Sequence, residues 1–215
     1  MTGKVDLEAQ YNNRARVPDH PAVMALWRER AEAARTAHPM IRIAYGDGER
    51  ETLDLFEAAP DAPVAVFIHG GYWQALDKDW FGGIAPALAA HGISVAIPSY
   101  DLAPAVRVGA IVGQMRRAVE AIRARTGRRP LVFGHSAGGH MAAAMLSEGR
   151  ACAAVALSGV FDLEPLIGTS LNDALKLDER EARALNILRW PAPNGATPGG
   201  TVLDSAELYD PATDR

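Results

Sequence analysis

PLVFGHSAGGHMAAAMLS, residues 130–147, decides how the rest of the chain is read. Leu131, Val132 and Phe133 make a short apolar run of the kind a strand buried on both faces needs. Gly134-His135-Ser136-Ala137-Gly138 follows, and the HMAAAMLS beyond it is rich in helix formers. A serine between glycines, set between strand and helix, marks a turn too tight for flanking side chains. Such a turn thrusts the hydroxyl out of the chain, where a substrate can reach it. The helix beyond aims the positive end of its dipole at the same point. Ser136 is therefore the candidate nucleophile, and the N–H of Ala137 a candidate donor to negative charge developing on a substrate carbonyl.

Working outward, PVAVFIH (63–69), ISVAIPSY (93–100) and CAAVALSG (152–159) repeat the apolar-run pattern. Helical segments near 80–91, 107–125 and 137–148 lie between these runs, so strand and helix alternate. That alternation predicts a mostly parallel sheet with helices on both faces, the α/β class. MIRIAY (40–45) and ETLDLFE (51–57), joined through GDG, predict an antiparallel pair at one edge and about six strands in all. PAVMALWRERAEAARTA (21–37) predicts a helix opened by Pro21 and anchored by Trp27. LNDALKLDEREARALNIL (171–188) reads as helical. WPAPNGATPGG reads as a Pro/Gly loop, and the closing GGTVLDSAELYDPATDR resembles a fragment of one kelch blade without the repeats a propeller needs.

His69-Gly70-Gly71-Tyr72-Trp73 begins where the PVAVFI run ends. An oxyanion hole needs backbone N–H groups brought close to a carbonyl oxygen, and consecutive glycines allow that approach. Gly70 and Gly71 therefore join Ala137 as candidate donors. His69 is expected to support this loop by hydrogen bonding, and together with Tyr72 and Trp73 it is a candidate for lining a substrate pocket. For the aromatic residues, core packing remains an equal alternative.

The chain has 215 residues, with 22 Lys and Arg against 26 Asp and Glu, a net charge of -4. This length fits one domain, and the acidic balance argues against a nucleic-acid partner. Seven arginines crowd between Arg107 and Arg129. Ile111, Met115, Val119 and Ile122 recur among them at helical spacing, so the arginines read as the solvated face of an amphipathic helix. No apolar run approaches the ~18 residues a bilayer span requires, so no membrane partner is expected. The opening MTGKVDLEAQ lacks a signal-peptide pattern. Cys152 is the only cysteine and sits in an apolar run, which predicts a buried thiol and a cytoplasmic location. No metal or organic cofactor is implied.

The runs HGGYWQALDKDWFGGIAPAL, IPSYDLAP, GHSAGGHMAA, LSGVFDLEPL and SLNDALKLD together resemble the arylformamidase (kynurenine formamidase) group of the α/β-hydrolase superfamily. The resemblance runs from about Tyr11 to Pro193. It implies an α/β-hydrolase domain over 1–193, with 194–215 as an irregular tail. It implies cleavage of an aryl formamide such as N-formylkynurenine, a small-molecule substrate, through a Ser136 acyl-enzyme, with small-ester carboxylesterase activity as the alternative. Residue by residue, Ser136 matches the family's nucleophile, and Gly70, Gly71 and Ala137 match its oxyanion loop and the residue after the serine.

The chain order of this fold is Ser, acid, His, yet no histidine follows His140. The last strands, with the loops that carry acid and base, are not recognisable, so the chain is expected to lack a complete triad. His140 stands one helical turn beyond Ser136, and Asp162 follows a strand end but is better placed to cap the next segment. A chain that binds without turnover is the alternative from outside the enzymes. The open edge left by unrecognised strands predicts a homo-dimer formed by strand pairing.

Overall fold

The computed structural model describes residues 6–13 and 17–191. Six strands form one sheet in the order β1-β2-β4-β3-β5-β6, with β1 Met40–Ala44, β2 Thr52–Phe56, β3 Val64–Ile68, β4 Ser94–Pro98, β5 Leu131–His135 and β6 Ala153–Leu157. β3 pairs in parallel with β4 and β5, and β5 in parallel with β6. β2 pairs antiparallel with both β1 and β4. The four parallel runs and the antiparallel pair at one edge thus stand as the periodicity predicts.

Seven α-helices are described: α1 Leu7–Tyr11, α2 His20–Ala37, α3 Ala85–Ala89, α4 Val108–Thr126, α5 Ala137–Ser147, α6 Asn172–Leu175 and α7 Glu179–Ala184. Pro21 lies in the first turn of α2, where its missing N–H costs nothing. Trp27 meets Phe81 at 5.6 Å between ring centroids but stays exposed. On α4, Ile111, Met115, Val119 and Ile122 are buried against the sheet and α5. Several arginines on α4 and just before it are ion-paired rather than simply solvated: Arg107 with Asp178 and Glu181, Arg116 with Glu148, Arg117 with Glu51, Arg125 with Glu57.

Three expectations are corrected. The 171–188 stretch is two short helices, because Lys176 adopts a left-handed φ of 53° and Asp178 then caps α7 through the N–H of Glu181. β6 is not buried on both faces. Among the described residues β5 is its one strand neighbour and α5 covers one side, with Val155 47% and Leu157 50% exposed. Cys152, just before β6, is exposed for the same reason. The kelch-like tail and residues 194–215 lie outside the described residues.

The two faces of the sheet carry separate cores. One unites the inner residues of β2 to β5 with α4 and α5, including Leu53, Val66, Ile68, Tyr100, Val132 and Met141. The other gathers Phe56, Phe67, Val95 and Ile97 beneath Phe81 and Leu88. β3 and β5 run side by side through the middle, and their C-terminal ends open at one edge of this frame.

Candidate active site

Register places the site. Ile68 of β3 is paired with Gly134 of β5, so the residues two further along each strand, Gly70 and Ser136, emerge side by side. A Cβ built on Gly70 would stand 3.2 Å from Ser136 Cβ and 2.7 Å from the His135 carbonyl oxygen, so only glycine fits there. Ser136 has φ 57° and ψ -118°, a conformation that L-residues rarely adopt and that persists only when the surroundings enforce it. They do so from both sides. Its N–H donates to the Leu157 carbonyl at 2.9 Å, and its carbonyl accepts from the N–H of His140 at 3.1 Å as α5 begins. Its Oγ has no hydrogen-bond partner among the described residues, and Ser136 retains 9% exposure.

The loop after β3 has positive φ at three consecutive residues, Gly71 (105°), where glycine allows it freely, and Tyr72 (49°) and Trp73 (55°), where a side chain makes it uncommon. The N–H groups of Gly70, Gly71 and Ala137 donate to no acceptor among the described residues. An oxyanion site requires N–H groups free of other acceptors close to the nucleophile, and of these three residues Gly70 stands directly against Ser136.

His69 supports this loop from below. It is fully buried and stacks on Tyr100 at 4.2 Å, with Phe81 on its other side at 5.6 Å. Its Nδ1 lies 2.8 Å from the Gly70 carbonyl oxygen; because that oxygen only accepts, Nδ1 carries the proton. Burial pulls the His69 pKa from 6.5 down to about 4, so the ring is neutral at pH 7. The Tyr100 hydroxyl stands 2.9 Å from the His69 carbonyl oxygen and 3.1 Å from that of Gly70.

The pocket expectations need revision. His69 and Trp73 are wholly buried and line no open space; Trp73 packs edge-on against His140 at 5.3 Å. Tyr72 is half-buried, and its hydroxyl donates to the Tyr11 carbonyl at 2.8 Å, fastening α1 to the loop. A cavity of about 700 Å³ lies elsewhere, at the N-terminal ends of the parallel strands, with Pro63, Ser94, Arg128, Leu131, Phe133 and Cys152 in its wall. Geometry outweighs size here: the strained serine and the unpaired N–H groups are at the opposite end of β3 and β5.

No side chain hydrogen-bonds Ser136 Oγ among the described residues; the neighbouring His135 is exposed, its Nδ1 3.4 Å from where a Cβ on Gly70 would stand. His140 is fully buried and turned away, its Nε2 2.7 Å from the Leu185 carbonyl oxygen, with a pKa lowered to about 4 by burial. Asp162 acts as a cap, accepting from the N–H of Glu164 at 3.1 Å and from Asn186 Nδ2 at 3.0 Å. No group of three or more His, Cys, Asp or Glu side chains suited to a metal occurs among the described residues. No described helix is long and apolar enough to cross a membrane. Tyr100 is the residue that sequence reasoning missed. Its only signal was a tyrosine at the C-terminal end of a buried run, 30 positions from the loop it touches.

A family model described as the alpha/beta hydrolase fold matches residues 65–190, more than half of the chain. A kynurenine formamidase of Salmo salar is 34% identical over 169 residues, 72% of this chain and 58% of that protein. A kynurenine formamidase of Danio rerio is 32% identical over 199 residues, 83% of this chain and 68% of that protein. The chain thus spans between 58 and 68% of the length of these two relatives. Among solved structures, a protein of Silicibacter sp. tm1040 proposed to be a thioesterase superposes with a TM-score of 0.77 at 32% identity, covering 86% of this chain and 75% of that one. Esterase B of Lactobacillus rhamnosis shares the fold, with a TM-score of 0.58 at 18% identity over 85% of this chain and 73% of its own.

Proposed function

We infer, from the premise that the chain belongs to the α/β-hydrolase fold family and to its arylformamidase-like group, that its chemistry is acyl transfer through Ser136. The substrate class is an aryl formamide of the N-formylkynurenine type or a small aryl ester. Ser136 Oγ adds to the acyl carbonyl, and the negative charge that develops on oxygen is held by the N–H groups of Gly70, Gly71 and Ala137. The amine or alcohol leaves with a proton, and water then releases formate or the short acid from the serine. One observation carries this reading: β3 and β5 bring a serine of strained backbone and partner-free hydroxyl against Gly70, and the N–H groups of Gly70, Gly71 and Ala137 donate to nothing among the described residues.

A serine hydroxyl needs a base to become an effective nucleophile. His69 and His140 both face backbone carbonyls, and the sequence has no histidine after His140. Slow turnover is therefore expected of this chain, reduced by a factor on the order of 10⁴ to 10⁶ from that of a complete triad. The same observation favours a second reading, in which the chain binds the substrate class without turning it over.

Steady-state hydrolysis of N-formylkynurenine and p-nitrophenyl acetate, with Ser136→Ala as the blank, tests both. The first reading expects slow hydrolysis, below roughly 1 s⁻¹, that disappears in Ser136→Ala, and the ratio of the two substrates assigns the leaving group. Binding of N-formylkynurenine without any Ser136-dependent hydrolysis supports the second. Hydrolysis that survives Ser136→Ala contradicts the first.

A further inference from the structure

We propose that Tyr100 is a positioning residue of this site, its hydroxyl setting the direction of the Gly70 and Gly71 N–H groups through the carbonyls on the other side of the same peptide planes. The inference rests on Gly70 and Gly71 being the oxyanion donors, and it adds what aims them.

Each peptide unit is planar and trans, so its C=O and N–H point in opposite directions. The His69 carbonyl shares a plane with the Gly70 N–H, and the Gly70 carbonyl with the Gly71 N–H. Both carbonyl oxygens converge on one hydroxyl, at 2.9 and 3.1 Å, which holds them on the same side of the loop. The hydroxyl has one proton, so it donates to the two as a three-centre bond. His69 Nδ1–H adds a second bond to the Gly70 carbonyl at 2.8 Å. With both carbonyls turned towards the buried Tyr100 and His69, both N–H groups turn away from them, and neither meets an acceptor among the described residues.

The alternative conformation of such a loop would flip one peptide plane. Gly70 and Gly71 have no Cβ to oppose the flip, so the glycines that permit close approach also permit disorder of the donors. The two hydrogen-bonded carbonyls remove that freedom. Tyr100 is itself held in place: fully buried two residues beyond β4, stacked on His69 at 4.2 Å, with its backbone carbonyl accepting from Arg50 Nε at 2.7 Å. A fixed donor on a fixed ring is how a pre-organised oxyanion site avoids reorganisation during the reaction.

Tyr100→Phe tests this, since it keeps the ring and removes only the hydroxyl. Two readouts are taken on the full chain. The first is the rate at which a fluorophosphonate modifies Ser136, followed by mass spectrometry. The second is the exchange rate and line width of the Gly70 and Gly71 amides in a glycine-selective ¹⁵N spectrum. The expected result is a roughly tenfold or larger loss of labelling rate, below the loss for deleting a donor outright, with faster exchange or broadening at both glycines. Ile122→Val, in the core of α4, is the control: it lowers thermal stability but leaves both readouts at wild-type values.

If Tyr100→Phe labels at the wild-type rate, or if the two amides are unchanged, the positioning role is overturned while the hydrolase reading stands. If wild-type Ser136 does not react at all, the acyl-transfer reading fails. The amide measurement, which needs no reaction, then still decides whether Tyr100 holds the loop.

Discussion

A methyl group added to Gly138 would overlap the carbonyl oxygen of Ile68, at the point where α5 crosses the end of β3. Backbone cannot yield there without moving Ser136, two residues away. Gly138→Ala is therefore expected to cost about 3 kcal/mol or more, or to prevent folding. Gly113, inside α4, has nothing within 4 Å of an added Cβ, so Gly113→Ala should stabilise by about 0.5–1 kcal/mol. Urea unfolding of the two variants checks both signs. The need for glycine at 138 was legible in the sequence, because a serine turn between strand and helix requires it. The depth of Trp73 was not: an aromatic next to a glycine loop reads alike whether it faces substrate or core, and only the packing of His140 and its neighbours decides.

α4 shows how much one element's pattern reveals. Ile111, Met115, Val119 and Ile122, spaced at three and four residues, are the buried stripe that the spacing predicts. Ile122→Ala should cost about 2–5 kcal/mol, since the surrounding core closes only partly over the lost atoms. Arg116→Ala should cost under about 1 kcal/mol although it breaks a bidentate pair with Glu148, because that pair is partly exposed and screened by solvent. Thermal and urea midpoints compare the two. The arginines' partners were not legible, because Glu51, Glu57, Glu148 and Asp178 come from distant segments that only the tertiary fold brings to α4. β6 shows the converse. AAVAL reads as a fully buried strand, yet apolar composition does not say how many neighbours a strand has, and among the described residues this one pairs with β5 alone.

For the whole molecule, two fully buried neutral histidines tie stability to pH. His69 and His140 have folded pKa values of about 4 against 6.5 unperturbed, lowered by burial. In the unfolded chain both take up protons near pH 6.5, so the unfolded state binds more protons below that value. Their contribution is fully present above pH 6.5, declines as pH falls and is lost through pH 4. At pH 5 the loss is on the order of 2 kcal/mol for each. Urea midpoints at pH 7.5 and pH 5 measure it, and His140→Leu should shrink the difference by about half.

The architecture was legible because strand and helix alternate with clear periods, and the register of β3 and β5 then brings two separate motifs together. That no histidine follows His140 was legible in the sequence, whereas the carbonyls that face the His69 and His140 rings were not. The central claim, that Ser136 is the nucleophile of a hydrolase site, is tested most directly by exposing the full chain to a fluorophosphonate and mapping the adduct by peptide mass. A single adduct on Ser136, forming slowly and absent from Ser136→Ala, is the predicted result. An adduct on another residue, or equal labelling of Ser136→Ala, would contradict it.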